Sequence, residues 1–381
     1  MDGFDIQWLL IGLPLAFALG WIGSRIDLRQ WRREQRAQPK AYFKGLNLLL
    51  NEQPDKAIDA FIEAVQHDPD TSELHFALGN LFRRRGEFER AVRVHEHLLQ
   101  RGDLPAAERE RAQYALAQDF MKAGLFDRAE QAFKALAGSP YDTEARLALL
   151  QLHERARDWR AASDDAVQLE RAGAGSFAAR VAHHWCELAL EADAGGDTAA
   201  AEAALQRARE AAGGSARPWV QTGQRLARAG RHADALAAWN ELRQRHPGAF
   251  TLVATEYAAS AKAASMSGEA LAALIALHAQ QPSSELLRAI VALEGSAERA
   301  RERWIEELAR QPTLSTAAVV LHDRAQGDPT AMALAGIVER AAAPLARYRC
   351  AACGFEAQRW FWQCPGCLGW DTFPPLRLED Q

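Results

Sequence analysis

Four cysteines near the end of the chain are the residues best suited to chemistry. They form two C-x2-C pairs with ten residues between them: Cys350, Cys353, Cys364 and Cys367. Each pair can wrap into a tight knuckle whose backbone N–H groups hydrogen-bond the sulfurs and offset their charge. Two such knuckles can bring four thiolates to one ion, and a tetrahedron of four thiolates suits zinc or iron. The spacing therefore predicts a metal site formed by these four residues.

The predicted site favours structure over hydrolytic catalysis, because four cysteine ligands leave no open coordination position. A segment of about 35 residues cannot build an adequate core alone, so the ion should contribute to its folding. Five aromatic residues supply a small core: Trp360, Phe361, Trp362, Trp370 and Phe373. Because the linker before this segment is short, we expect the last helices of the preceding region to share some of these rings. A redox role stays open, since a four-thiolate iron can carry one electron.

The rest of the chain offers little for catalysis. His183, His184 and Cys186 are close in sequence, but on one helix their side chains point in different directions. We expect Cys186 to be a small buried hydrophobic residue. The sequence contains no phosphate loop, nucleophile elbow or metalloprotease helix. These observations predict that the protein is not an enzyme.

A long region of helical repeats precedes the cysteine pairs. From Tyr42 to about Leu345 the chain is rich in Ala, Leu, Arg and Glu, with Gly and Pro between the apolar runs. This composition predicts helices of about 12 residues in pairs. One pattern recurs with identical spacing, as Gly79, Gly86 and Ala91 and again as Gly223, Gly230 and Ala235. The period is near 34 residues, and the region resembles the tetratricopeptide repeat.

Each recurring residue type has a physical reason. Small residues at the first position let the two helices of a pair cross closely: Gly45, Gly79, Ala117 and Gly223. Glycines in mid-repeat supply a turn with positive φ: Gly86, Gly124, Gly196 and Gly230. Aromatic residues in the second helix fill the core: Phe61, Phe133, Trp239 and Trp304. Prolines end the second helix: Pro69, Pro247, Pro282 and Pro312.

Repeats of this kind stack into a superhelix with a concave binding surface. In the tetratricopeptide family, the position five residues after the first small residue faces that groove. Here that position is cationic in four units: Arg84, Lys122, Arg155 and Arg228. The same units carry a side-chain amide four residues earlier: Asn80, Gln118, Gln151 and Gln224. A polar groove with a row of cations favours an acidic protein segment as partner; an ordinary solvated helix face is the alternative.

The first helix, which we predict at residues 6–24, has no charge between Asp5 and Arg25 and is long enough to span a bilayer core. Basic residues follow it, which places the N-terminus outside and the rest of the chain in the cytosol. A cleaved signal peptide is the alternative, but its basic segment would come before the apolar run. Three small residues share one face of this helix and favour packing on another membrane helix: Gly12, Ala16 and Gly20.

Composition and charge limit the classes of partner and the state of the cysteines. The net charge of -5 gives no overall argument for nucleic acid, and residues 25–40 form the one basic cluster, suited to orientation and to anionic lipid. In a reducing cytosol the clustered cysteines favour metal over disulfides.

The sequence thus predicts an all-α protein in five parts. These are a periplasmic N-terminus (1–5), a transmembrane helix (6–24), a basic segment (25–40), a repeat array (41–345) and a metal-binding domain (346–381).

This order of parts resembles the lipopolysaccharide assembly protein B family of Gram-negative bacteria. The knuckles C-A-A-C-G and C-P-G-C are similar to those of rubredoxins, although the module is shorter between and after the two pairs. That shortening weighs against the electron-transfer role of free rubredoxins. The motifs that carry the family resemblance are Tyr42 to Pro69, Gly79 to Ala91, and Cys350 to Trp370.

The resemblance implies a non-enzymatic regulator on the cytoplasmic side of the bacterial inner membrane. Members of the family present the lipid A deacetylase LpxC to the membrane protease FtsH, and thereby set lipopolysaccharide output. By the same resemblance, the face with Gly12, Ala16 and Gly20 contacts other inner-membrane lipopolysaccharide regulators, and the four cysteines hold one iron ion, with zinc as the alternative. Homo-oligomerisation stays open. Two rival functions are a rubredoxin-type electron carrier and a general envelope-assembly scaffold with a different client.

Overall fold

The structure is a computed structural model that describes Phe17, Trp21 and residues 43–48, 50, 51, 53–67, 71–325 and 327–380. Within this part of the chain, no helix is both long and apolar enough to cross a membrane. The predicted membrane helix lies outside the described residues except for Phe17 and Trp21, and so does the face with Gly12, Ala16 and Gly20. The predicted basic segment 25–40 also lies outside them.

The chain divides into two compact units, Met1–Ala156 and Arg157–Gln381, and helices dominate both. In the first unit, helical residues 43–48 and 50 form α1. The helices that follow in this unit are α2 (Pro54–His67), α3 (Ser72–Arg84), α4 (Phe88–Gln100), α5 (Ala106–Ala123), α6 (Phe126–Lys134) and α7 (Asp142–Ala156). The predicted all-α class is therefore correct for the array.

The second unit continues the helices and ends in a small two-stranded module. Its first helices are α8 (Trp159–Arg171), α9 (Ala178–Ala194), α10 (Thr198–Ala211), α11 (Arg217–Arg228), α12 (His232–Arg245) and the short α13 (Pro247–Phe250). A 3-10 turn (Thr251–Val253) leads to α14 (Ala254–Ala263), α15 (Ser267–Gln280), α16 (Ser284–Leu293), α17 (Ala297–Arg310), α18 (Leu314–Arg324) and α19 (Pro329–Ala342). Strands β1 (Tyr348–Arg349) and β2 (Glu356–Ala357) follow.

The turns between paired helices have the predicted left-handed backbone. All four mid-repeat glycines have a positive φ of 75–79°: Gly86, Gly124, Gly196 and Gly230. Arg157 and Ser265 occupy the same repeat position, with φ of 60° and 58°. A side chain costs roughly 1–2 kcal/mol in this conformation. The repeat turn thus imposes left-handed geometry even where the sequence lacks the glycine that signals it.

Close helix crossings follow from the small residues at the first repeat position. A Cβ on Gly45 would lie 2.8 Å from the Phe61 ring, and one on Gly79 would lie 2.5 Å from the His95 ring. Gly223 meets Trp239, whose side chain is fully buried. In these three pairs the second helix packs an aromatic or histidine ring directly on glycine, and this contact limits how far apart the two helices lie.

The C-terminal helices depart from the predicted pattern. We expected Trp304 to fill the core, but α17 has no fully buried residue and Trp304 is only half-buried. Beyond Thr313 the sequence shows no full repeat, yet α18 and α19 pack on each other as a further pair. The turn between them has a glycine with positive φ, Gly327 at 89°, as the earlier repeats do. Neither helix carries the core aromatic residue that marks those repeats. The predicted helix ends at Pro247, Pro282 and Pro312 are confirmed, and Pro69 lies outside the described residues.

Candidate metal centre and predicted partner groove

The four predicted cysteines come together at the end of the second unit. The first pair lies in the turn between β1 and β2, which pair antiparallel. The second pair lies in a hairpin that a bridge between Gln363 and Trp370 closes. All four Sγ atoms lie within 4.8 Å of one another. Two cysteines are buried, Cys350 and Cys364, and two are exposed, Cys353 and Cys367.

The sulfur positions fit a tetrahedral ion. The Sγ atoms of Cys350 and Cys367 are 3.8 Å apart, and those of Cys353 and Cys364 are 3.7 Å apart. Metal–sulfur bonds of about 2.3 Å predict tetrahedral edges of about 3.8 Å. The cysteines are free rather than paired in disulfides. The four-cysteine cluster is therefore a metal-binding site, and its donor set is one that binds zinc or iron.

Backbone and hydroxyl donors surround the sulfurs, as the predicted knuckles require. The N–H of Gly366 donates to Cys364 Sγ at 3.3 Å. Burial opposes ionisation of Cys350, but the Thr372 hydroxyl and backbone N–H groups of Cys353 and Ala352 outweigh it and lower the pKa of Cys350 to about 6. These donors stabilise thiolate charge, which a bound cation would neutralise further.

A small core supports the cluster from within the module. Tyr348 and Phe373 are buried beside Cys350 and Cys364, and the Trp360 and Phe361 rings pack against them. The Trp360 indole N–H donates to the Phe373 carbonyl at 3.1 Å. The predicted aromatic core is therefore correct for these rings. It is small, as expected for a segment whose folding depends on an ion.

The hairpin that carries the second cysteine pair packs against α9. Trp370 stacks on His183, with ring centroids 4.6 Å apart and an angle of 15° between the planes. The Nε2 of His183 is 2.7 Å from Asp371 Oδ2, and its Nδ1 is 3.4 Å from Arg217 Nη1. Burial lowers the pKa of His183 although Asp371 opposes this. A neutral ring that donates through Nε2 and accepts at Nδ1 satisfies both contacts.

Arg217 of α11 also contacts the C-terminal module. Its side chain is 3% exposed and donates to Glu187 at 2.5 Å. Its guanidinium lies 5.7 Å from the ring centroids of both Trp362 and Trp370. A buried guanidinium needs such partners, because removing one would leave an uncompensated charge. Trp362, Trp370, Asp371, His183 and Arg217 form what we call the clasp.

The C-terminal tail adds a second attachment to the array. Arg377 forms an ion pair with Glu285 at 2.5 Å, and Asp380 accepts from the Ser284 hydroxyl at 2.8 Å. The Thr251 hydroxyl donates to the Pro375 carbonyl at 2.8 Å. We expected the last helices of the array to share some of the aromatic rings. Trp362 packs against the core cluster of α11–α16, whereas Trp370 does not follow this expectation. The Trp370 ring packs on α8 and α9, far earlier in the chain, because the hairpin turns it toward them.

Comparison with known proteins supports both parts. Residues 348–375 match the family model described as a rubredoxin metal binding domain, and residues 74–110 match the tetratricopeptide repeat model. The lipopolysaccharide assembly protein B of Escherichia coli K12 is 30% identical to this chain over 98% of its length and 99% of the relative. The chain belongs to the lipopolysaccharide assembly protein B family.

A second member of the lipopolysaccharide assembly protein B family, from Haemophilus influenzae, is 25% identical over 98% of this chain and 99% of its own length. Among solved structures, a tetratricopeptide repeat protein from Parabacteroides merdae aligns with 80% of this chain and 98% of its own at 13% identity and a TM-score of 0.30. A structural match with so low a TM-score carries no information about function. The family assignment therefore rests on the full-length relatives.

The predicted groove residues of the first unit lie at its surface. Arg84, Lys122 and Arg155 are exposed, as is Gln151, whereas Asn80 and Gln118 are half-buried. In the second unit, Arg228 is exposed and lies 3.9 Å from Asp193, and Gln224 donates to Glu256 at 3.0 Å. The last two side chains thus already have acidic partners in their own chain. Binding of a partner by these residues stays a prediction.

Sequence reasoning missed the clasp. The sequence gives no sign that His183 has a carboxylate partner, because Asp371 follows 188 residues later. The buried position of Cys186 agrees with the prediction, and burial raises the pKa of its thiol to about 12. In sequence Arg217 is one more arginine before the Pro218 that starts an array helix, and only its burial in the structure shows that it needs partners.

Proposed function

We propose that this protein is an inner-membrane scaffold that regulates lipopolysaccharide synthesis by presenting the deacetylase LpxC to the protease FtsH. The names of its full-length relatives support a role in lipopolysaccharide assembly. A repeat array with a four-cysteine site that lacks an open coordination position favours a scaffold over an enzyme. We also propose the predicted topology, with the N-terminus in the periplasm and the array in the cytosol.

The distribution of charge in the first unit is the observation that most favours partner binding. Several arginines of this unit pair with acidic side chains of their own chain, among them Arg85 with Asp55, Arg90 with Glu87, Arg111 with Glu73 and Arg128 with Glu96. Arg84, Lys122 and Arg155 form no ion pair within the described residues 43–156. Three unneutralised cations at one repeat position attract an acidic segment.

A buried network fixes the amide beside these cations. Arg83 donates to Asp119 at 2.7 Å and to Asn80 Oδ1 at 2.5 Å. Asp119 is fully buried and also contacts His95 Nδ1 at 2.5 Å. The Asn80 carbonyl accepts from Arg83, which fixes the amide, and the Asn80 NH2 group supplies two N–H donors. The surface therefore offers donors and positive charge, which suits a carboxylate-rich segment.

A tether explains how a scaffold without an active site could control degradation. Holding a substrate-binding surface beside a membrane protease raises the local concentration of the substrate. The membrane helix would supply the tether, and its face with Gly12, Ala16 and Gly20 would contact FtsH or other inner-membrane regulators. Catalysis would belong wholly to the protease.

Neutralising the exposed cations should weaken client capture. We expect the variant Arg84→Gln/Lys122→Gln/Arg155→Gln to lose at least about tenfold in affinity for LpxC, because charge-assisted hydrogen bonds are worth about 1.5–3 kcal/mol each. Titration of purified LpxC against the full chain in nanodiscs would measure this, with circular dichroism to confirm unchanged helicity.

The matched control is Arg90→Gln/Arg111→Gln/Arg128→Gln, which removes three arginines that already pair with their own chain. This control should bind LpxC normally. Equal affinity of both triple variants would remove the exposed cations from the proposed mechanism.

Depleting the protein in its native host tests the proposed client directly. We expect LpxC to accumulate several-fold when the scaffold disappears, because the protease would lose its presented substrate. Quantitative immunoblotting after a translation block would follow LpxC lifetime. An unchanged lifetime would favour the rival function, a general envelope-assembly scaffold with another client.

A further inference from the structure

Two tryptophans of the second unit are each flanked by two arginines. Trp185 of α9 has the guanidinium carbons of Arg207 at 4.7 Å and Arg160 at 5.9 Å from its ring centroid. Trp219 of α11 has those of Arg245 at 5.3 Å and Arg209 at 5.4 Å. Both rings are half-buried. The two tryptophans and their arginines can be compared with each other, because the two groups share residue types and helix arrangement.

The arginines at Trp219 use their donors within the chain. Arg209 donates to the Thr222 hydroxyl at 2.9 Å and to Gln206 at 2.8 Å. Arg245 donates to Glu241 at 3.1 Å and forms an ion pair with it. These two cations therefore stabilise the array itself. These intramolecular contacts account for the positions of Arg209 and Arg245 beside Trp219, and no partner protein is needed to explain them.

The arginines at Trp185 differ in this respect. Arg160 and Arg207 are both exposed. Neither forms a hydrogen bond or an ion pair within the described part of the second unit, although Asp164 follows Arg160 by one turn and Glu210 follows Arg207 by three residues. A guanidinium stacked on an aromatic face keeps its in-plane N–H groups free for a carboxylate.

We propose that Arg160, Trp185 and Arg207 form a docking site for an acidic segment of a partner protein, which we call the Trp185 site. Each guanidinium lies within 6 Å of the same ring, so the two are at most about 11 Å apart. On an extended segment, side chains on one face repeat about every 7 Å. Two carboxylates of one segment can therefore reach both arginines, while an apolar side chain contacts the indole.

This site goes beyond the proposed function, because it uses other residues in another unit and does not depend on LpxC or FtsH as partners. It also departs from the predicted groove residues Gln224 and Arg228, which already contact acidic side chains. Stability alone does not require both stacked arginines, since an exposed cation–π contact contributes only about 0.5–1 kcal/mol.

The test uses the full chain, labelled with 5-fluorotryptophan, in phosphatidylcholine nanodiscs. A hexaglutamate peptide should shift the ¹⁹F resonance of Trp185, which Trp185→Phe identifies, and leave that of Trp219 unchanged. Arg160→Gln/Arg207→Gln should weaken this response at least about tenfold. The matched control Arg209→Gln/Arg245→Gln should retain it. A hexaglutamine peptide should have no effect on either resonance.

The readout separates this site from the groove of the first unit, because only a local contact moves the Trp185 resonance. Hexaglutamate that leaves Trp185 unmoved would overturn the proposal, as would equal shifts of Trp185 and Trp219. A shift caused by phosphatidylglycerol nanodiscs but not by the peptide would assign the site to lipid phosphate and also overturn it. Normal LpxC lifetime on depletion would leave this result unaffected.

Discussion

Chelation of the metal should unfold the C-terminal module and loosen the array helices that it covers. Apparent binding free energies of structural zinc in small domains are about 10–16 kcal/mol, more than a core of this size supplies. The second knuckle carries Trp362 and Trp370 to Arg217 and His183. Loss of the ion would therefore expose the buried Arg217 guanidinium and the His183 ring together.

Hydrogen exchange read by mass spectrometry would measure this effect. After chelation, peptides from α9 and α11 should exchange at least about a hundredfold faster, while peptides from the first unit should not change. Cys364→Ser should reproduce the effect, and Cys186→Ser should keep its metal because Cys186 lies in a separate cluster on α9 and α10. Unchanged exchange in α9 and α11 would show that the clasp does not depend on the ion.

The metal content of the native protein also decides between rival functions. Zinc is redox-silent, so a zinc-loaded native protein would exclude the electron-carrier alternative. Iron with a reversible potential would keep that alternative open. Elemental analysis and voltammetry on protein purified from its native host would separate these outcomes.

The substitution Gly223→Ala should destabilise the α11–α12 pair by about 1–3 kcal/mol, as overpacking of a core does. A Cβ there would overlap the indole of Trp239. That indole is fully buried and donates to the Val220 carbonyl at 3.3 Å, so it has no free direction in which to move. Local opening free energies from native-state hydrogen exchange would report the loss in α11 and α12.

Gly268→Ala is the matched control. Gly268 lies in the first turn of α15, and a Cβ there would meet no atom within 4 Å. Alanine is the better helix former, so this variant should be neutral or slightly more stable. Similar losses in both variants would mean that the close approach to Trp239 does not set the stability of the pair.

Local sequence patterns predicted most of the architecture because the repeat is a local unit. The turn at Gly86, the close crossing at Gly223 and the helix end before Pro247 each depend on a few neighbouring residues. Where a repeat lacks these residues, its sequence predicts its structure less well. Arg157 and Ser265 adopt the glycine conformation without glycine, and the α18–α19 pair keeps the turn glycine, Gly327, but lacks the core aromatic residue.

The four cysteines were predictable for the same reason, since each knuckle needs only two residues between its ligands. Spacing could not reveal which helices the module contacts. His183 and Asp371 are 188 positions apart, and only the packed structure brings them to 2.7 Å. The pairing of charges could not be predicted either. Arg128 and Arg84 look alike in sequence, yet among the described residues only Arg128 pairs with an acidic side chain.

The sequence by itself determined the repeat period, the turns and the metal ligands, because backbone sterics and coordination spacing operate within a few residues. The tertiary structure decided where the module docks, which cations stay exposed and which are neutralised, because burial and ion pairing join residues that are far apart in the chain. Arg217 shows the difference: its buried charge is stabilised only once α9, α11 and the second knuckle have assembled around it.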